Sequence, residues 1–239
     1  MKPTAAEIAD AAQRLAGAPP EEVLRWALGR FGRGLAIASS FSVEDCVVID
    51  MAHALAADVR VFALDTGRLP EETYQTAERV RAKYGLEIEW QFPDRVRVEA
   101  LLRQKGLFSF MDSLDNRHEC CGLRKVEPLG RVLAGLDAWV TGLRREQAVT
   151  RTDTPVVELD AGHGGLGKLN PLIAWSEAQV FAYADERRVP VHPLHKRGYP
   201  SIGCAPCTRA IKPGEHPRAG RWWWENPESK ECGLHPGGK

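Results

Sequence analysis

Residues 34–40 read GLAIASS, and residues 44–57 read EDCVVIDMAHALAA. The first stretch is a short apolar run of the length expected for a buried strand. The second begins with acidic residues and continues as a mostly apolar segment long enough for a helix. We interpret the region as a strand, a polar turn and a helix that packs against the strand.

The same order of elements recurs directly afterwards. Residues 59–65 (VRVFALD) predict a second strand, residues 71–84 a helix that ends at Gly85, and residues 86–92 a third strand. Such alternation is typical of a sheet whose parallel strands are joined by helices. The pattern predicts an α/β fold with a parallel sheet flanked by helices.

Further elements extend this sheet towards the C-terminus. Short strands are predicted at residues 138–141 and 156–159, and a helix over residues 176–188 with Ser176 as its N-cap. From about residue 189 the chain becomes rich in Pro, Gly, Cys, His and Trp and loses regular periodicity. We therefore predict an α/β domain over residues 1–200 and a loop-rich C-terminal tail over residues 201–239.

Composition and charge restrict the class of protein. Lys+Arg and Asp+Glu both total 32, so the net charge of zero provides no overall attraction for nucleic acid. Residues 1–20 (MKPTAAEIADAAQRLAGAPP) lack the apolar core of a signal peptide, and no segment approaches the roughly 20 apolar residues of a membrane span. We expect a cytoplasmic protein that binds neither nucleic acid nor membrane.

Four of the six cysteines form two pairs, Cys120-Cys121 and Cys204-x-x-Cys207. Without an export signal, metal or thiol chemistry is a better expectation than disulfides, and two pairs suggest one four-thiolate site. Zinc accepts four thiolates, but adjacent cysteines suit a [4Fe-4S] cluster better because a cubane offers each sulfur its own iron. We favour the cluster; a zinc site and four unrelated buried thiols remain alternatives.

The other two cysteines stand apart from these pairs. Cys232 lies close to the C-terminus between Lys230 and His235, and nearby positive charge would favour its reactive thiolate form. It is either a nucleophile or an incidental thiol of the tail. Cys46 belongs to the apolar helix and is interpreted as a core residue.

Two polar loops follow neighbouring predicted strands. Residues 39–45 (SSFSVED) and residues 64–68 (LDTGR) end strands where α/β sheets bind ligands, although such residues also serve as ordinary helix caps. Cationic side chains that could converge there on an anionic substrate are Arg124, Lys125, Arg144, Arg145, Arg151, Arg209, Arg218 and Arg221.

Several motifs together resemble one family. They are SSFSVED (39–45), LDTGR (64–68), ECCGLRKVEPL (119–129), TGLRREQ (141–147), IGCAPCTRAIKPGEHPRAGRWWW (202–224) and KECGLH (230–235). In this combination the chain resembles the assimilatory adenylylsulfate (APS) reductases. The Cys-Cys pair, the distant Cys-x-x-Cys and the terminal ECGLH carry most of the specificity.

This resemblance implies an adenine-nucleotide α-hydrolase-like fold, with a [4Fe-4S] cluster on Cys120, Cys121, Cys204 and Cys207. It also implies that the Cys232 thiolate attacks the sulfur of APS, expels AMP and becomes an S-sulfocysteine. Thioredoxin then releases sulfite from Cys232 by thiol exchange. The expected partners are thus thioredoxin, APS and AMP, and we expect a homo-oligomer.

Site residues follow from the same motifs. The resemblance implies nucleotide binding by Ser39, Ser40, Ser42, Leu64 and Gly142 and a cationic lining of Lys125, Arg144, Arg218 and Arg221 around phosphosulfate and cluster. Lys125 could act on both groups electrostatically, and His235 could tune Cys232.

Other functions are weighed against this one. The loop has Phe41, Ser42 and Val43 where ATP-pyrophosphatase relatives have the glycines of SGGxDS, which disfavours a tRNA-thiolating enzyme that consumes ATP. Reductases of 3'-phosphorylated APS (PAPS) share ECGLH but generally lack the cluster cysteines, so APS is the expected substrate and use of both remains open. A zinc-stapled binding module is the non-enzymatic alternative.

Overall fold

The structure, a computed structural model, describes residues 1–147 and 153–225. Its strands are β1 Leu35–Ser39, β2 Val61–Leu64, β3 Ile88–Gln91, β4 Ala138–Val140, β5 Val157–Asp160 and β6 Leu166–Leu169. They form a six-stranded sheet in the order β3-β2-β1-β4-β6-β5, in which only the β5–β6 pair is antiparallel. The predicted parallel sheet is confirmed, with one antiparallel edge.

Eight α-helices lie between and beside these strands in the described chain. They are α1 Ala5–Arg14, α2 Pro20–Phe31, α3 Val43–Leu55, α4 Glu71–Tyr84, α5 Arg95–Lys105, α6 Leu114–Cys121, α7 Glu127–Leu133 and α8 Glu177–Glu186. The predicted helices correspond to α3, α4 and α8. Gly85 ends α4 with a left-handed φ of 65°, and Ser176 caps α8 in a capping box with Gln179.

Both faces of the sheet are covered, as the alternation of strands and helices predicts. On one face α2, α3, α4 and α8 bury the main apolar core, which includes Ile37 of β1 and Val140 of β4. On the other face α7 places Leu129 and Leu133 against Phe62, Trp139 and Leu166. Burial on both faces explains why the central strands are nearly continuous apolar runs.

The edge of the sheet differs from the prediction. The strand predicted at 156–159 is β5, but it pairs antiparallel with β6, a strand that the sequence analysis did not predict. A short turn joins the two, with Gly164 and Gly165 at φ values of 78° and 75°, and so short a connection pairs strands antiparallel. β6 is inconspicuous in sequence because it contains Lys168, whose ammonium pairs with Glu158 at 2.8 Å.

The N-terminal helices α1 and α2 and the helices α5, α6 and α7 were also not predicted. α1 and α2 approach the sheet over Gly167, where an added Cβ would lie 3.3 Å from Phe31 and 3.5 Å from Ile8. A side chain at position 167 would therefore push both helices away from the sheet.

Residues 189–225 are loop-rich, as expected. They contain two short 3₁₀ segments, Pro193–Arg197 and Ala205–Cys207, and a single antiparallel bridge between Thr208 and Arg221. The division of the chain at residue 200 stays a prediction. Within the described residues, no helix combines the length and the apolar character needed to cross a bilayer.

Candidate active site

A cavity of about 250 Å³ opens at the carboxyl ends of β1, β2 and β4. Parallel α/β sheets place their ligand crevices at this edge. Eight of the predicted site residues line it: Ser39, Ser40, Ser42, Leu64, Lys125, Gly142, Arg218 and Arg221. Residues that are far apart in sequence thus meet in one pocket.

The polar wall of this pocket is the loop between β1 and α3. Asp45 holds the loop in shape, because its Oδ2 accepts hydrogen bonds from the backbone N and the Oγ of Ser40, at 2.6 and 2.7 Å, and from Ser42 Oγ at 3.3 Å. Phe41 adopts a φ of 59°, and its N–H donates to Ser39 Oγ at 3.1 Å. Burial raises the pKa of Asp45 to about 6, although the bonds from Ser40 oppose that shift.

Gly142 packs directly against this loop. An added Cβ would overlap the Asp45 carboxylate and lie 2.9 Å from Glu44 Cβ and 3.0 Å from the Asp45 backbone N. The segment after β4 can therefore approach the start of α3 this closely only if position 142 is a glycine.

Arg144 is placed behind the loop and is not among the residues that line the pocket. Its Nε donates to Glu44 Oε1 at 2.9 Å, and both side chains are buried. Gln147 also donates to Glu44 Oε1, at 3.0 Å. In this arrangement the Arg144 guanidinium stabilises a buried carboxylate next to the serine loop.

The pocket also has an apolar wall. It is formed by Phe62, Leu64, Leu129 and Trp139, and Trp90 lines the pocket near Phe41, with ring centroids 5.8 Å apart. A pocket with one polar and one apolar wall suits a ligand that has a planar ring at one end and an anionic group at the other.

A second, smaller cavity adjoins the first. Cys120, Cys121, Cys204 and Cys207 all line it, so the fold brings the two predicted pairs together. Lys125, Arg221 and Trp222 line both cavities and form the wall between them.

The cysteine helix contains an irregularity at this point. α6 ends at Cys121, and a π-helical turn, Gly122–Val126, leads into α7. π-Helical turns are rare and occur frequently at functional sites. This turn carries Lys125, which lines both cavities.

The cysteine cavity has an uneven charge environment. Burial favours the neutral Cys204 thiol, but the charge of Lys125 and the Thr66 hydroxyl, 3.2 Å from the sulfur, outweigh this effect and lower its pKa. Burial raises the pKa of Cys120, and burial together with Cys204 raises that of Cys207 to about 12. The surroundings therefore make Cys204 easier to deprotonate than Cys120 and Cys207.

Among the side chains that line this cavity, Arg68 Nη1, Arg124 Nε and Trp222 Nε1 are buried N–H donors that find no hydrogen-bond acceptor within residues 1–147 and 153–225. Buried donors without a partner are costly, so they indicate an acceptor that belongs to the site. Among the described residues, no three His, Cys, Asp or Glu side chains are arranged to hold a single metal ion.

Some predicted site residues cannot be placed, and some placed residues were not predicted. Cys232 and His235 lie outside the described residues 1–147 and 153–225. Asp45 and Trp222 were not singled out as site residues. The loop sequence SSFSVED contained the signal for Asp45, since a carboxylate after several hydroxyls can organise them. The run of three tryptophans at 222–224 contained no signal that assigned one particular ring to the cysteine cavity.

Comparisons with known proteins agree with this geometry. Residues 34–210 match the family model of the phosphoadenosine phosphosulfate reductase domain. The chain is 53% identical over 201 residues to an adenosine 5'-phosphosulfate reductase of Allochromatium vinosum, covering 84% of this chain and 78% of the relative. It is 50% identical over 234 residues to chloroplastic 5'-adenylylsulfate reductase 3 of Arabidopsis thaliana, covering 95% of this chain and 50% of the relative.

The chain thus spans about half the length of the plant relative and most of the bacterial one. Among solved structures, the phosphoadenylyl-sulfate (PAPS) reductase from Candida auris, in complex with phosphate, is 31% identical with a TM-score of 0.73, covering 88% of this chain and 99% of that chain. Candida glabrata FMN adenylyltransferase shares the fold at 14% identity and a TM-score of 0.57, covering 97% and 78%. The chain belongs to the family of adenosine 5'-phosphosulfate and phosphoadenosine phosphosulfate reductases.

Proposed function

We propose that this protein reduces APS to sulfite and AMP with electrons from thioredoxin, in the assimilation of sulfate for cysteine biosynthesis. One observation carries the proposal beyond family membership. The pocket at the strand ends shares the wall of Lys125, Arg221 and Trp222 with the cavity of four cysteines. An anionic substrate in the first cavity would lie against cations that also face the second.

The pocket suits the two ends of such a substrate. Its apolar wall can hold the adenine ring, and the serine loop offers hydroxyl groups and the start of α3 to phosphate oxygens. Lys125, Arg218 and Arg221 supply positive charge for the phosphosulfate. Asp45 keeps the serines oriented, and Arg144 supports the loop through Glu44.

The proposed chemistry has two steps. The Cys232 thiolate attacks the sulfur of APS, an S–S bond forms, the sulfur–oxygen bond to the phosphate breaks, and AMP leaves with that electron pair. A thioredoxin thiolate then attacks Cys232 Sγ, and sulfite leaves with the electron pair of the S–S bond. The second thioredoxin thiol attacks the resulting mixed disulfide, which closes the thioredoxin disulfide and releases the Cys232 thiolate. The net result is a two-electron reduction of the sulfuryl group, with both electrons supplied by the thioredoxin dithiol. We assign His235 the role of adjusting the reactivity of the Cys232 thiol.

The cysteine cavity fits a [4Fe-4S] cluster held by Cys120, Cys121, Cys204 and Cys207. Four thiols line one space, and the unpartnered N–H groups of Arg68, Arg124 and Trp222 are suitable donors to sulfide. When bound, the cluster would supply a fixed charged group behind Lys125. The five described cysteines are free thiols, and we propose the cytoplasm, a reducing compartment, as the site of the reaction.

The test is an intact-mass measurement after incubation with APS in the absence of reductant. We expect one added sulfonate group, which added thioredoxin removes together with release of sulfite. Cys232→Ser should abolish the adduct while it retains the visible absorption of the cluster. Cys46→Ser is the matched control and should form the adduct normally. An unmodified wild-type chain, or an adduct that survives in Cys232→Ser, would contradict the mechanism.

PAPS is a second candidate substrate. The structural similarity to the Candida auris PAPS reductase favours it, although the curated relatives at about 50% identity carry the APS name. Rates of sulfite formation from APS and from PAPS, measured with the same preparation, decide between them. We expect a preference for APS, and equal rates would indicate dual use.

A further inference from the structure

A buried ion pair links the cysteine helix to the end of the described tail. Arg117 Nε donates to Glu225 Oε1 and Arg117 Nη2 to Glu225 Oε2, both at 2.9 Å. The Arg117 side chain is 0% exposed and that of Glu225 is 9% exposed. The contact is therefore bidentate and removed from solvent.

Stability alone does not account for such a pair. Removing two charges from water costs about as much as their attraction returns, and an apolar pair of similar volume often serves stability equally well. The planar guanidinium does fix the geometry of the pair, because its two hydrogen bonds can form together only in one orientation of the carboxylate. Arg117 therefore fixes where the chain lies at Glu225.

The elements joined by this pair are those that carry the cysteines. Arg117 lies one helical turn before Cys120 and Cys121 and lines their cavity. Its guanidinium lies 4.7 Å from the Trp222 ring, and the Trp222 backbone N donates to Cys207 O at 3.1 Å. A series of contacts thus connects the two cysteine pairs, from α6 through Arg117 and Trp222 to Cys207, and the ion pair with Glu225 is part of it.

The same pair marks the origin of the segment that carries Cys232. Only residues 226–231 separate Glu225 from Cys232, and an extended residue spans at most about 3.6 Å. Seven residue steps of this length place Cys232 within about 25 Å of Glu225, so the position of Glu225 limits where Cys232 can act.

We propose that Arg117 and Glu225 are positioning residues, which anchor the origin of the Cys232 segment to the cysteine helix. The inference rests on the proposed role of Cys232 as nucleophile. On this view the Arg117–Glu225 ion pair holds both the cysteine cavity and the start of the segment that carries Cys232. A disturbed cavity would then displace Cys232 even when the substrate pocket is intact.

The test compares Glu225→Gln with wild type in single turnover of APS, followed by the mass of the Cys232 adduct. Loss of the bidentate charge pair should slow adduct formation about 10- to 100-fold, the range that misplacement of a reacting group produces. AMP affinity and the iron content should be unchanged. Glu225→Asp, which keeps the charge, should recover part of the rate. Glu215→Gln, which breaks the more exposed pair with Arg209, is the matched control and should react at the wild-type rate.

A second readout does not require the chemistry. The rate of Cys232 alkylation by a neutral reagent should depend on bound AMP in wild type and lose that dependence in Glu225→Gln. An adduct rate equal to wild type, or a loss explained fully by weaker AMP binding or lost iron, would overturn the inference. A wild-type chain that forms no adduct would instead overturn the proposed function.

Discussion

The serine loop and the cysteine cavity share a wall but are built in different ways. The loop of residues 39–45 is organised by neighbours in sequence, since Asp45 accepts from Ser40 and Ser42 within one turn between a strand and a helix. The cysteine cavity combines the end of α6 with residues of the tail, and residues 122–203 separate its two cysteine pairs. The loop is held by the protein's own hydrogen bonds, whereas the cavity contains donors that still need an acceptor.

This difference indicates that the cysteine cavity depends on a bound group for its structure, whereas the serine loop does not. The serine loop should keep its shape in the free protein, because its carboxylate and hydroxyl groups are already paired. The cysteine cavity should depend on its ligand, because metal binding supplies folding free energy where the protein alone leaves polar groups unsatisfied.

The largest effect is expected for Cys121→Ser. We predict loss of the bound iron and acid-labile sulfide after anaerobic purification, since one of four thiolate ligands is removed. Cys46→Ser also replaces a buried thiol and should keep the full iron content. Iron retained in Cys121→Ser would contradict the ligand assignment.

The next effect concerns the support of the serine loop. Glu44→Ala removes the buried partner of Arg144 and leaves its pair with the exposed Glu146, at 3.1 Å, so the free energy of unfolding should fall by up to about 3–5 kcal/mol. Glu78→Ala removes the exposed pair with Arg81 and should leave the free energy of unfolding nearly unchanged. Urea unfolding measures both. A loss of AMP affinity without loss of stability in Arg144→Met would instead assign Arg144 to the substrate.

A smaller effect follows from the titration of Asp45. Its pKa of about 6 in the folded chain lies above the ordinary value of about 3.9, so the folded chain retains a proton that the unfolded chain releases. Wild-type stability should therefore fall relative to Asp45→Asn as the pH rises from about 4 to about 6, by on the order of 3 kcal/mol. Unfolding at a series of pH values tests this, and parallel profiles would contradict it.

The smallest effect is expected for Gly142→Ala. Its Cβ would press on Asp45 and Glu44, so we expect a loss of about 1–3 kcal/mol in stability and weaker AMP binding by calorimetry. Gly130 in α7 has no atom within 4 Å of an added Cβ, and Gly130→Ala should be neutral or slightly stabilising. Equal behaviour of the two variants would show that the close approach at Gly142 is unimportant.

The sequence predicted the central sheet and the serine loop because both depend on local patterns. The strands from residue 34 to residue 92 are short apolar runs that alternate with segments of helical length, and the serine loop joins β1 to α3. It did not predict β6, because Lys168 interrupts the apolar run and only the pairing with Glu158 explains its burial. Nor did it predict the pairing of Arg117 with Glu225 or that of Arg144 with Glu44, since contacts between distant residues leave no periodic signal.

The separation of the two cysteine pairs also has a consequence for biosynthesis. Cys120 and Cys121 leave the ribosome well before Cys204 and Cys207, and strands β4, β5 and β6 are synthesised between the two pairs. A cluster that binds all four cysteines can therefore be completed only after residue 207 has been made, when every described strand of the sheet is already available.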